Sequence, residues 1–256
     1  PAGTYLGVFE LTGVLGEGGF GIVYIAQLHS LQRRVALKEY MPSALAARSG
    51  NTQVQVRSER YRETFEAGLK SFVNEARLLA QFDHPSLVKV LRFWEEHGTA
   101  YMAMPFYKGS TLKALRQRVN STPDEAWLRK VCEALLGALE AMHKEGVYHR
   151  DISPDNIFLQ DVGPPVLLDL GAARHAMGGK TQDLTDAFKL SYAPLEQHAG
   201  APDMRQGPWT DLYALGAVLH FAMTGAKPPA AVARILNDHY RPLVDRRLED
   251  APLARY

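Results

Sequence analysis

The chain has 256 residues, 46% hydrophobic and 22% charged, which suits one large domain or two small ones and is too apolar for intrinsic disorder. Its 29 basic and 28 acidic residues leave a net charge of +1, so there is no bulk electrostatic footprint for nucleic acid. The single cysteine, Cys132, excludes an internal disulfide, and no apolar run or leader pattern suggests a membrane segment or export, so the expected setting is reducing and cytoplasmic.

The first residue is Pro1 rather than Met, which reads as a piece of a longer gene product. From Tyr5 to Leu37, short runs of Val, Ile, Leu and Tyr broken by Gly predict strands and tight turns. A polar stretch follows from about Pro42 to Arg57, within which Thr52, Val54 and Val56 alternate as in a small strand or hairpin. Phe65, Leu69, Phe72, Ala76 and Leu79 then recur at spacings of three and four, the signature of an amphipathic helix. Two more strands are expected at Leu87–Phe93 and Ala100–Met104.

Beyond the Lys108-Gly109 turn the texture becomes helical. Thr122-Pro123-Asp124-Glu125 reads as a helix start with Thr122 as cap, and Leu128, Val131, Leu135, Leu139 and Met142 form one face up to a stop at Gly146. Another helix runs from Leu212 to about Met223 and ends at Gly225. Strands first and helices later predict an α+β chain of two unequal lobes.

Three groups of residues carry chemistry. Gly16-Glu17-Gly18-Gly19-Phe20-Gly21, followed by Val23, is a G-x-G-x-x-G run whose backbone can approach phosphates closely. A dinucleotide-binding fold needs a helix directly after the glycines, and Ile22-Val23-Tyr24-Ile25 reads as a strand, so that reading is set aside. In Val35-Ala36-Leu37-Lys38, strand alternation puts small Ala36 beside Lys38 on one face, suited to a flat ring and a phosphate. Glu75 is the carboxylate available to hold the lysine; taken singly, both are ordinary surface residues. The third group is His149-Arg150-Asp151-Ile152-Ser153-Pro154-Asp155-Asn156, followed after the apolar run Val166-Leu167-Leu168 by Asp169-Leu170-Gly171. Asp151, Asn156 and Asp169 form an oxygen-rich set suited to a hard divalent cation that keeps some waters.

In this order the groups resemble a eukaryotic-like (Hanks-type) serine/threonine protein kinase of the bacterial branch, from Leu15 to Gly225. His84-Pro85, Tyr192-Ala193-Pro194-Leu195-Glu196-Gln197 and Asp211-Leu212-Tyr213-Ala214-Leu215-Gly216 add to the resemblance. It implies a bilobal protein-kinase fold in one catalytic domain: a β-rich N-lobe with one long helix at 1–104, a hinge at 105–109 and a mainly helical C-lobe at 110–256. It further implies transfer of the ATP γ-phosphate to Ser or Thr hydroxyls of protein substrates with Mg²⁺.

By the same resemblance, Leu15, Gly16, Gly18, Gly19, Phe20 and Gly21 cover ATP, and Lys38 binds its α/β-phosphates while paired to Glu75. Asn156 and Asp169 hold Mg²⁺, and Asp151 accepts the proton of the substrate hydroxyl. Val23 and Ala36 roof the adenine and Phe158 floors it; Met104 is the gatekeeper, and Pro105 and Tyr107 offer a backbone carbonyl and an N–H. Leu79, Val90, His149 and Leu170 match the stacked apolar residues that join the lobes in active relatives.

Several positions depart from the family pattern. Ser153 stands where serine/threonine kinases place a lysine near the γ-phosphate, and Lys189, where a threonine is usual, is the candidate replacement. Leu195 replaces a proline before Glu196. The interval from Lys38 to Glu75 is about twice that of most relatives, and the insertion at 40–60 is expected to be a docking or regulatory element acting on the Glu75 helix, and the place for a regulatory partner. Arg150 beside Asp151 implies control by activation-loop phosphate, with Thr181 and Thr185 as acceptors and Arg174 in support.

A nucleotide-binding pseudokinase scaffold is the alternative, raised by Ser153; a small-molecule phosphotransferase of the same broad fold fits the Glu196 and Asp211 motifs less well. Residues 226–256 alone follow Gly225, so the last C-lobe helices are expected to be missing. With them would go the arginine that pairs with Glu196 in relatives, leaving a buried carboxylate without its partner and apolar surface exposed.

Overall fold

The computed structural model describes residues 3–50, 52–119, 121–170, 190–198 and 204–243. They form two compact units, one of residues up to 83 with 88–107 and Leu170, the other of 84–87, 108–169 and the described residues from 190 onward.

In the first unit, strands β1 (Tyr5–Leu6), β2 (Phe9–Gly18), β3 (Gly21–Leu28), β4 (Arg33–Tyr40), β7 (Arg92–Glu96) and β8 (Thr99–Pro105) build an antiparallel sheet in the order β1-β2-β3-β4-β8-β7. Alternation along β4 sorts its side chains between two environments, as period two requires. Val35 and Leu37 point into a core with Phe9, Leu11, Tyr24, Ala26, Tyr101 and Ala103. Trp94 stacks between Phe9 and Tyr101 over this core, at 5.4 Å from each ring. On the other face Tyr40 meets helix α1 (Arg62–Leu79), its ring 5.2 Å from Phe65 and 5.9 Å from Phe72. The helix buries Phe65, Phe72, Val73, Ala76 and Leu79, as its apolar spacing predicts.

The insertion folds into a two-stranded hairpin, β5 (Ala46–Ser49) and β6 (Gln53–Val56), with Leu45, Ala46 and Val54 buried. It sits against the β7–β8 turn, where the Val54 N–H donates to the His97 carbonyl at 2.8 Å. Gly98 there has φ +73° and a Cβ would lie 2.6 Å from the Val54 oxygen, so both conformation and space call for glycine. The strand expected at Leu87–Phe93 starts five residues later, at Arg92. Ser86 and Leu87 instead pair with the second unit, where the Leu167 N–H donates to Ser86 and Leu87 bridges Leu167 in parallel.

The second unit holds the small sheet β11-β10-β9 (Val166–Leu167, Ile157–Gln160, Gly109–Thr111) and helices α2 (Leu112–Arg118), α3 (Glu125–Lys144), α4 (Pro208–Thr224) and α5 (Ala231–Leu236). Helix α3 is capped by Asp124, whose carboxylate accepts from the Trp127 N–H at 2.8 Å, and not by Thr122. A carboxylate at this position satisfies an orphan N–H and also favours the positive end of the helix dipole. Its buried stripe, Leu128, Val131, Leu135, Ala138, Leu139 and Met142, follows the predicted face. Helix α4 begins at Pro208, four residues before the expected Leu212, and ends on left-handed Gly225. It is apolar nearly all round and buries Ala214, Leu215, Ala217, Val218, Phe221 and Ala222. Trp209, Leu212, Ile235 and Leu236 are exposed on α4 and α5.

Leu135, 1% exposed at the centre of the α3 stripe, sets the first expectation. Leu135→Ala should cost about 2–5 kcal/mol of unfolding free energy, read as a lower urea midpoint with an unaltered slope. Alkaline stability follows from the tyrosines. Burial pushes the hydroxyls of Tyr24, Tyr40, Tyr101 and Tyr192 well above their ordinary range. The folded state therefore keeps protons that the unfolded chain releases, so their contribution is complete below about pH 10 and is lost as pH rises through the folded values. Urea midpoints should fall on the alkaline side of pH 10, and replacing Tyr40 by Phe should flatten that fall.

Candidate active site

The first unit carries the glycine hairpin and the lysine. Strands β2 and β3 pair through Gly16↔Val23, Glu17↔Ile22 and Gly18↔Gly21, leaving Gly19 and Phe20 as the turn. A Cβ at Gly16 or Gly19 would meet nothing within 4 Å, so this backbone is open to approach by a ligand. Gly21 has a different reason: a Cβ there would collide with the Glu39 carbonyl oxygen, a packing constraint between β3 and β4. Leu15 is exposed, while Phe20, Val23 and Ala36 are half-buried.

Lys38 lies on the β4 face opposite Leu37, and its ammonium is 3.7 Å from the Glu75 carboxylate of α1. Glu75 is 1% exposed and Lys38 14%, so this is a mostly desolvated pair. The Lys38 ammonium also stands over the Phe72 ring at 5.6 Å, one helical turn before Glu75. Met104 is buried near the end of β8 opposite Ala36, Pro105 closes the strand opposite Val35, and Tyr107 follows half-buried, its hydroxyl pushed up by burial.

The second unit carries the acidic loop. Asp151 and Asn156 are nine-tenths buried, and the Asn156 amide nitrogen donates to both the Asp151 carbonyl (2.7 Å) and its carboxylate (2.6 Å). That orientation leaves the Asn156 carbonyl oxygen as the atom offered to a cation. Asp169 follows β11 and is half-buried, and Phe158 is half-buried on β10 opposite Thr111 and Val166.

The loop is held from below by Asp211. Its fully buried carboxylate accepts the backbone N–H groups of His149 (2.9 Å) and Arg150 (2.8 Å) and lies 2.8 Å from His143 Nε2. Arg150 takes the left-handed φ of +61° that this clamp demands. His149 is buried with Nε2 2.9 Å from the Leu168 carbonyl, and its Nδ1 accepts from the Asp151 N–H at 3.3 Å, which fixes the tautomer with the proton on Nε2. His143, read in the sequence only as part of a helix, belongs to this network; nothing in its spacing marked it.

Ser153, at the position of the missing lysine, is 1% exposed, and its hydroxyl has no hydrogen-bond partner among the described residues. It faces inward and contributes no charge. Close by, the Lys113 ammonium holds Asp155 at 3.0 and 3.2 Å. The expectation for Glu196 needs correction. It is half-buried rather than buried, and its carboxylate takes the Thr210 hydroxyl at 2.8 Å, the same hydroxyl that accepts the Gly207 N–H at the start of α4. A threonine in the first turn of α4 thus serves a carboxylate that was expected to stand without a partner. Leu79, His149 and Leu170 are buried and Val90 is half-buried. Arg150 extends to the surface over the Tyr148 ring. Thr181, Thr185, Lys189 and Arg174 lie outside the described residues.

The donor set suits magnesium nucleotide. Among the described residues no cluster of three His, Cys, Asp or Glu side chains could hold a metal by itself. One carboxylate and one amide oxygen are the sparse protein ligation expected of Mg²⁺ that shares its shell with water and phosphate. Asp211→Ala should leave two buried N–H groups without their acceptor and cost roughly 3–5 kcal/mol, measured by urea unfolding, with Asp211→Asn losing less.

The protein kinase domain family matches residues 9–240. The DNA damage-responsive serine/threonine-protein kinase RqkA of Deinococcus radiodurans is 32% identical over 96% of this chain and 35% of its own length. Serine/threonine-protein kinase PknK of Mycobacterium tuberculosis is 31% identical over 95% of this chain and 20% of its own. The chain therefore spans about a third or less of these relatives. Among solved structures, the apo form of PpkA-294 is 49% identical with a TM-score of 0.86, covering 96% of this chain and 86% of that one. The kinase domain of Mycobacterium tuberculosis PknI, 24% identical with a TM-score of 0.65 over 90% of this chain and 80% of its own, shows the same fold.

Proposed function

Because this chain belongs to the protein kinase family and resembles its bacterial serine/threonine members, we propose that it transfers the ATP γ-phosphate to Ser or Thr hydroxyls of a protein substrate. The observation that carries this reading is the pairing of Lys38 with Glu75 in a nearly dry setting. A mostly desolvated ammonium steered by the Glu75 carboxylate is suited to a polyphosphate, because its field is poorly screened there.

In this reading the glycine backbone from Gly16 to Gly21, flanked by Leu15, covers the phosphates, and Val23, Ala36, Met104 and Phe158 enclose the adenine. Pro105 offers its carbonyl and Tyr107 its N–H to the ring edge. Pro105 lacks an N–H, which that role does not require. Asn156 and Asp169 would hold Mg²⁺, which when bound neutralises charge on the transferred group. Asp151 orients the substrate hydroxyl and takes its proton, with the Asn156 amide fixing the carboxylate rotamer. Positioning and electrostatics account for the rest of the rate, as is general for phosphoryl transfer.

The finer assignments follow from the same reading. Arg150 receives an activation-loop phosphate, with Thr181 or Thr185 as its source, and Lys189 supplies the cation that Ser153 does not. A regulatory partner engages the 40–60 insertion. A nucleotide-binding scaffold is the second reading, favoured by the inward, uncharged Ser153.

Incubation with labelled ATP, Mg²⁺ and a generic protein substrate separates the two. Transfer by the parent, reduced by about 10²–10⁴-fold in Asp151→Ala and abolished by chelation of Mg²⁺, supports the kinase. Tight nucleotide binding with no transfer by the parent supports the scaffold. Undiminished transfer in Asp151→Ala would overturn the assignment of that residue.

A further inference from the structure

Glu39 follows Lys38 directly and, by strand alternation, points to the other face of β4. Its side chain is 0% exposed, a state that carboxylates reach only when paired. The pairing draws on three separate elements. The Tyr24 hydroxyl of β3 donates at 2.7 Å, the Tyr101 hydroxyl of β8 donates at 3.0 Å, and the Arg48 guanidinium of the inserted hairpin forms the ion pair. Burial, and then Glu39 itself, pushes the Tyr24 and Tyr101 hydroxyls up, so both remain donors across the physiological range.

Arg48 does not reach this carboxylate from a loose loop. Its Nη1 donates to the Thr52 carbonyl at 2.9 Å across the hairpin turn, while Nη2, the nitrogen that meets Glu39, also donates to the Tyr24 hydroxyl at 2.9 Å. Arg57 closes the hairpin base through the Ser43 carbonyl (2.8 Å) and the Ala46 carbonyl (3.2 Å). The hairpin is therefore a rigid arm that delivers one cation to the buried side of β4.

The opposite side leads to the nucleotide lysine. Tyr40, next along β4, donates its hydroxyl to the Phe65 carbonyl in α1 at 3.1 Å, while its own carbonyl accepts from the Thr99 hydroxyl. Tyr40 packs on Phe72, and Phe72 carries the Lys38 ammonium on its face one turn before Glu75. Strand β4 is thus pinned on one face by Glu39 and on the other by Tyr40, with Lys38 between them.

We propose that Arg48 and Glu39 are positioning residues for phosphate transfer: through this ion pair the inserted hairpin holds β4 and helix α1 so that Lys38 and Glu75 meet. The inference rests on reading Lys38 as the phosphate-binding lysine, and it gives the insertion an intramolecular role distinct from partner docking.

The test uses the chain with Arg48→Met, which keeps the aliphatic stem and removes the charge, and the double variant Glu39→Gln/Arg48→Met, which also neutralises the buried carboxylate. The readouts are kcat and KM for ATP well below the unfolding temperature, together with hydrogen exchange of the amides of residues 62–79. Arg48→Met should lower kcat/KM for ATP by about 10- to 100-fold. It should also speed exchange in α1 by roughly ten-fold while leaving α3 unaltered. The double variant should recover about three-fold or more of kcat/KM, because no unpaired charge remains buried.

Parental kinetics and parental α1 exchange in Arg48→Met would overturn the proposal. So would faster exchange spread equally over α1 and α3, which is the mark of a merely stabilising contact. If Arg48→Met does not fold, Arg48→Lys retains charge without the planar fork and is judged by the same two readouts. If the parent transfers no phosphate, the kinase reading fails, and α1 exchange still decides whether Arg48 positions the helix.

Discussion

A carboxylate taken out of water must be met by donors, and among the described residues three are essentially fully buried: Glu39, Glu75 and Asp211. Leaving any of them unpaired would cost several kcal/mol, a large share of the stability of a domain this size. Each is met by groups from other elements of the fold. Lys38 comes to Glu75 from β4; Tyr24, Tyr101 and Arg48 come to Glu39 from β3, β8 and the hairpin; the His149 and Arg150 backbone comes to Asp211 from the loop after α3. Within one unit these pairings tie β4 to α1 and to the hairpin; within the other they tie the acidic loop to α4.

The acidic loop shows how such a demand becomes geometry for chemistry. Asp211 accepts two successive N–H groups, which forces Arg150 into a left-handed conformation and turns the next residue, Asp151, the other way. His149 supports it by accepting the Asp151 N–H and reaching the Leu168 carbonyl next to Asp169. Asn156 then locks the Asp151 carboxylate directly. The bonds from Asp211, His149 and Asn156 thus hold the loop backbone and the Asp151 side chain in one arrangement. Ser153 takes part in none of this: it lies inward where relatives present a cation, and the nearby lysine, Lys113, is engaged with Asp155.

Much of the fold was legible in local pattern. The spacing of Phe65, Phe72, Ala76 and Leu79 gives α1, the stripe from Leu128 to Met142 gives α3, and Gly225 ends α4 in the left-handed cap its position suggests. Misreadings arose where two local signals competed. Thr122 and Asp124 are both good caps, and the charged one prevails because it also meets the helix dipole. Leu87 to Val90 is as apolar as a strand, yet Ser86 and Leu87 are taken by Leu167 within the second unit. Gly21 fits the phosphate motif and also meets a packing need, since a Cβ there would collide with the Glu39 carbonyl oxygen.

The order and spacing of Gly16–Gly21, Lys38, Glu75, Asp151, Asn156 and Asp169 were enough to indicate the family, because the family pattern depends on residue types that the chain displays openly. Alternation also revealed that the insertion holds a strand. What no local pattern contained was the partnership of each buried charge: Arg48 with Glu39, the Asp211 clamp with His143, Thr210 with Glu196. An arginine in a polar stretch and a glutamate at the end of a strand look like surface residues one at a time. Only the folded chain, by removing water from one of them, decides that they must meet.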